Sequence, residues 1–208
     1  MAIVYRSVKG VDLVPSEVDG NFSELDSRTA MGWRDMVCGL ETRSGPTQPV
    51  LQNYRNGIYL YSFNPDNLQE AFATAHIDHD YKLGSELFPH MHWTTDTTNT
   101  GTVRWGFEYT WARRSDDTGT TEFGPTNTIY VEQAAQNVAY RHYVAQPAVG
   151  NGVDGTGMNI DTVLLFRIFR DAAHANDTYP DPIYGITFDL HYQCERYATP
   201  NKDPNFFL

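Results

Sequence analysis

Cysteine is scarce in this chain: there are two in 208 residues, Cys38 and Cys194, far apart and without metal-type spacing. That excludes a disulfide framework or a zinc-finger arrangement as the basis of the fold. Free buried thiols are expected, with one disulfide between the two as the alternative. Positive charge is also short, with 15 lysines and arginines against 26 acidic residues and a formal net charge of -11. An extended phosphate-binding surface is thereby disfavoured, and nucleic acid is not an expected partner. No apolar run approaches the roughly 18 residues of a membrane span, and the opening MAIVYRSVKG lacks the apolar centre of a signal peptide. The expectation is a soluble product of the cytoplasm without a membrane partner. Also missing are a Gly-x-Ser-x-Gly elbow, an activating context for either cysteine, and a Gly-Lys-Ser/Thr ending on the glycine-rich stretch 150–157. An enzyme is not expected, nor a cofactor.

Aromatic residues, by contrast, are plentiful: 13 tyrosines, 11 phenylalanines and 4 tryptophans. They suit strands and protein interfaces. From residue 57 onward the pattern is that of a β protein. The clearest strand is 103–113, where Val103, Trp105, Phe107, Tyr109 and Trp111 alternate with Arg104, Gly106, Glu108 and Thr110. Residues 183–192 alternate likewise, with Tyr184, Ile186, Phe188, Leu190 and Tyr192 against Gly185, Thr187, Asp189 and His191. Further strands are expected at 36–40, 57–63, 70–77, 86–94, 127–132, 139–145 and 162–170, although 131–145 also suits a short helix. Turn chemistry fills most of 33–56, around Gly39, Gly45, Pro46 and Pro49.

About eight strands without helix-length segments between them argue for an all-β fold, an antiparallel β-sandwich of jelly-roll type spanning 31–208. Residues 1–30 differ in character. Pro15 opens a short helix in which Val18, Phe22 and Leu25 recur at helical spacing, with Ser16 as a candidate cap. Gly20 weakens it, and a helix so short is marginal alone, so it is expected to become ordered by docking. The end of the chain, Phe206-Phe207-Leu208, is expected to pack on a neighbour.

Chemistry concentrates in His76–Trp93, which holds four of the seven histidines together with Asp78, Asp80 and Glu86. In an extended strand Phe88, His90 and His92 share one face and Pro89, Met91 and Trp93 the other. Two imidazoles pointing one way suit a shared metal ion, and equally a polar or subunit-facing strand surface. Gly84 followed by His90-x-His92 is similar to the first half of the cupin motif, whose histidines and a following glutamate hold a divalent metal inside a jelly roll. That resemblance implies His90, His92 and Asp96 as ligands, with Asp96 where the glutamate belongs. A second half is not recognisable around His142, His174 or His191, so no metal site is expected, and His76 or His79 could supply a third ligand only through a contact made by the fold. Glu86, Asp96, Asp116, Asp117 and Asp189 show no spacing that marks a glycosidase pair, and solvated loop carboxylates are expected. Trp105, Trp111, Tyr109 and Tyr130, where exposed, suit stacking on sugar rings, which makes carbohydrate binding an alternative activity.

The segment 8–25, VKGVDLVPSEVDGNFSEL, resembles the opening motif of many tailed-phage fibre and other virion proteins through Gly10, Leu13, Glu17, Val18, Asp19, Asn21 and Phe22. The region 33–192, with HDYKLGSELFPHMHW and a closing FDLHY, also looks like proteins encoded among phage virion genes. The resemblance implies a non-enzymatic virion protein: a tail fibre, spike or adaptor, or alternatively a capsid decoration or head fibre protein. It implies a homotrimer anchored to other virion proteins through residues 1–30, with Leu13, Val18, Phe22 and Leu25 as anchoring side chains. Contact with a host surface glycan would fall to loops 94–102, 115–126 and 149–159.

Overall fold

The computed structural model describes residues 3–28, 32–195 and 198–207. The ends of the expected anchor (Met1, Ala2, Thr29 and Ala30), the first residue of the expected sandwich (Met31) and the terminal Leu208 lie outside the described residues. Among the described residues two helices, α1 (Arg6–Lys9) and α2 (Pro15–Arg28), precede ten strands. These are β1 (Trp33–Cys38), β2 (Val50–Arg55), β3 (Ile58–Phe63), β4 (Gln69–His76) and β5 (Phe88–Thr94), followed by β6 (Gly101–Ala112), β7 (Asn127–Ala135), β8 (Tyr143–Ala145), β9 (Val163–Arg170) and β10 (Ile183–Gln193).

The pairing explains the architecture. β3 pairs with β10, β4 with β9, β5 with β8 and β6 with β7, every pair antiparallel. Such nesting is what a single long hairpin gives when it is rolled up, and it defines the jelly roll. One sheet runs β2-β3-β10-β5-β8 and the other β4-β9-β6-β7. β10 is long enough that β3 pairs with its first residues, at Ile183–Gly185, and β1 with its last, at Phe188–Gln193. The expected fold class is thus what the chain adopts.

The core lies between the sheets. β6 delivers Val103, Trp105, Phe107 and Tyr109 to it, as alternation requires, and β5 delivers Met91 and Trp93. Rings from opposite sheets meet at Phe63–Trp105 and Phe107–Phe188, with centroids 5.2 and 5.6 Å apart. Each buried ring removes enough apolar surface to stabilise the fold by about 1.5–3 kcal/mol, and edge-on pairing adds about 0.5–1.5 kcal/mol.

Four expectations need correction. Residues 50–55 form strand β2 rather than loop, pairing with β3 at the sheet's edge. Residues 131–145 hold no helix; β7 runs on to Ala135 and only Tyr143–Ala145 pairs with β5. The alternation of β10 breaks at a bulge between Gly185 and Thr187. Gly185 consequently faces the core, where an added Cβ would meet Met91 and Phe63, while Tyr184 turns to the opposite face and donates its hydroxyl to Asp96 at 3.0 Å. Finally Phe206 is buried within its own chain, edge-on to His79, because residues 198–207 fold back over the turn that follows β4.

Both cysteines are free, Cys38 buried and Cys194 partly so. Among the described residues no helix is long and apolar enough to cross a membrane.

Candidate functional site

Register brings the site together. Directly opposed residues in an antiparallel ladder share a face, and β10 opposes Asp189 to His90, His191 to Phe88 and Thr187 to His92. On its other edge β1 opposes Asp35 to His191. Phe88, His90 and His92 therefore lie opposite the Met91 and Trp93 face, as their spacing predicts, and Asp189, His191 and Asp35 join them. The face is the outer one of the six-stranded sheet, so these histidines do not line the interior of the roll as cupin ligands would.

His90 is 1% exposed and central. Its Nδ1 lies 3.2 Å from the carbonyl oxygen of Phe88. A carbonyl only accepts, so Nδ1 carries the proton. Its Nε2 lies 3.8 Å from Asp189 Oδ2 and 3.9 Å from Asp35 Oδ1, beyond hydrogen-bond reach of either. Burial, reinforced by the neighbouring His191, pushes the His90 pKa down to about 4, so the ring is neutral near pH 7. The ring stacks on His191 with centroids 3.9 Å apart and meets His92 edge-on at 4.9 Å.

His92 approaches Asp189 with Nε2 at 3.3 Å, and its Nδ1 is 2.7 Å from Nε2 of His142. Burial lowers its pKa, although Asp189 pulls in the other direction. His191 is held between Gln146, which accepts from Nδ1 at 2.9 Å, and Asp35, which contacts Nε2. Two sets of potential ligand atoms converge within 4.8 Å: Asp35, His90 and His191, and His90, His92 and Asp189. A cleft of ≈ 250 Å³, lined by Trp33, Phe88, Gln146, Val149 and His191, opens beside the cluster.

The other candidate residues are engaged elsewhere. Asp96 accepts from Tyr184 and is in neither set. His76 and His79 each approach Asp161, at 3.4 Å. Glu86 accepts from the backbone of Gly150 and Gly152, Asp116 pairs with Arg114, and Asp117 accepts from Asn159. Glu86 and Asp117 fasten loops, whereas Asp116 is a solvated loop carboxylate as expected, its side chain 56% exposed. Trp105 and Tyr109 are core residues, Trp111 is half-buried, and Tyr130 is exposed with the Arg104 guanidinium 4.1 Å over its ring.

Of the side chains expected to anchor the chain, Leu13 and Val18 are half-buried, while Phe22 and Leu25 are exposed. The motif residues around them build the segment. Gly10 ends α1 at φ 76°, a left-handed conformation that favours glycine. Glu17 accepts from the backbone N–H of Val14 at 2.9 Å and pairs with Lys9, capping α2 in the role expected of Ser16, which lies inside the helix. Asn21 bonds both backbone groups of Val4, at 2.7 and 2.8 Å.

Neither a family model nor a curated protein matches the chain. Among solved structures it is similar to the CBM22-1–GH10 modules of Clostridium thermocellum endo-1,4-beta-D-xylanase 10B complexed with xylohexaose, at 11% identity and a TM-score of 0.36. The match covers 82% of this chain and 28% of that one, so the chain spans well under half of the xylanase fragment's length. A second similar structure is TmCBM61 in complex with beta-1,4-galactotriose, at 12% identity and a TM-score of 0.27, covering 79% of this chain and 88% of that one.

Proposed function

We propose that the chain is a non-enzymatic structural protein of a tailed-phage virion, a homotrimer whose jelly roll is held to the particle, at the tail, by the N-terminal segment. The observation that carries this reading is how that segment spends its side chains. Gly10, Glu17 and Asn21, all residues of the virion-type motif, serve to close the segment on itself. Leu13 and Val18 are half-buried, while Val8, at 84% exposure, and Phe22, at 67%, are left outside. A short pre-shaped helix with an apolar surface gains nothing from that surface in water and gains binding energy from a hydrophobic groove on a partner. A capsid decoration or head fibre protein would use the same anchor at a different place on the particle.

The test is direct. Gold-labelled antibody against the chain should mark purified particles of the virus that carries the gene, and its position on tail or head selects between the two placements. Particles that are intact and contain none of the chain by mass spectrometry would end the proposal.

One observation favours an added glycan-binding role. Trp33 is 56% exposed at the mouth of the cleft that Gln146 and His191 also line, which sets a flat apolar surface beside hydrogen-bonding groups. Oligosaccharides should then quench tryptophan fluorescence in the native chain and not in Trp33→Ala; equal responses in both would remove this role.

A further inference from the structure

His90 Nε2 lies beyond hydrogen-bond reach of the two carboxylates it approaches. The Phe88 carbonyl fixes the proton on Nδ1, so Nε2 of this buried residue presents a bare lone pair. That lone pair faces the carboxylates of Asp189 and Asp35 from 3.8 and 3.9 Å, an arrangement of like partial charges with no proton between them. His92 can adopt the same tautomer, with Nδ1–H donating to His142 and Nε2 turned to Asp189. A second nitrogen tied to a carbonyl or another side chain is the usual support of a metal-bound imidazole.

We propose that His90, His92 and Asp189 hold one first-row divalent cation, of which Zn²⁺ is the type, on the outer face of the six-stranded sheet. Two imidazole nitrogens with one carboxylate oxygen suit this class of ion, whereas Ca²⁺ and Mg²⁺ take nearly all-oxygen sets. The spacing fits as well. A tetrahedral ion with ligands at about 2.1 Å separates them by about 3.4 Å, against 3.3 Å for His92 to Asp189 and 3.8 Å for His90 to Asp189. The ion neutralises Asp189, which is 9% exposed at its side chain, and supplies the charge that both bare nitrogens lack. Asp35 and His191 flank it, and the cleft lined by His191 gives a way in. The ligand set differs from the cupin-like one in both its carboxylate and its side of the sheet. It stands whether or not the chain belongs to a particle.

The experiment uses the full chain stripped with chelator, incubated with excess Zn²⁺, desalted and analysed by mass spectrometry for metal, with competition titrations for affinity. One equivalent of zinc per chain is expected, and the melting temperature should rise with zinc. Asp189→Asn and His92→Gln, checked for native circular dichroism, should each weaken binding at least tenfold. His76→Gln, paired with Asp161 away from the cluster, should bind as the native chain does. Native protein retaining less than about a tenth of an equivalent overturns the proposal, as does undiminished binding in whichever of the two variants folds; if neither folds, the stoichiometry of the native chain decides.

Discussion

Arg170 is fully buried, donating to both oxygens of Asp177 and to the carbonyls of Tyr179 and Asp181. One guanidinium thereby ties the loop that leads into β10 to the end of β9. Arg170→Met leaves the Asp177 carboxylate buried without its partner, which should cost about 3–5 kcal/mol in a urea titration. Glu70 is a second case. Burial pulls its pKa upward, and hydrogen bonds from Arg167, Arg43 and Thr47 outweigh that and hold it below the usual value. For His90 the sign runs the other way. Its pKa is 6.5 when unfolded and about 4 when folded, so the unfolded chain binds the extra proton between those values. In chelator-treated protein this histidine's contribution is complete above pH 6.5 and lost as pH falls toward 4. Stability measured across that interval should decline less in His90→Gln than in the native chain.

Among the elements, β6 was fully legible and β2 was not, for one physical reason. β6 is buried on the core side along its length, so selection for apolar residues writes a period of two into Val103–Trp111. β2, at the sheet's edge, has five of its six residues exposed, and VLQNYR carries no such imprint. The bulge in β10 was hidden because glycine at 185 reads as a polar-side residue when it is in fact the core-facing one. The site was half legible. A two-residue spacing put His90 and His92 on one face, and the pattern of β10 put Asp189 beside His191, but nothing local states that β5 and β10 pair in the register that joins them. The outer side of β6 offers a test of packing: a Cβ on Gly106 would lie 2.3 Å from the Phe169 ring. Gly106→Ala should therefore destabilise by about 1–3 kcal/mol through overpacking, visible as a lower urea midpoint.

At the scale of the whole molecule, the jelly roll and the N-terminal segment make separable contributions. Phe22, in α2, is 67% exposed, so Phe22→Asp should leave the melting temperature within about a degree, and, if the proposed anchoring holds, should abolish incorporation into particles. Light scattering on the full chain should give about three times 23.6 kDa if the trimer forms without the particle. The rolled hairpin also has a consequence in time. Phe63 of β3 waits for Ile183 of β10, roughly 120 residues later in synthesis, and the outer strands of the roll close last. Long closures of this kind are entropically costly before they gain any contact, which places folding in the millisecond-to-second range. The sheet bearing the histidines needs its central strand, β10, which is the last of the described strands to be synthesised. A nascent chain that has not yet released β10 therefore exposes β3 and β5 with no strand between them, and a chaperone that shields strand edges should be most needed until β10 emerges.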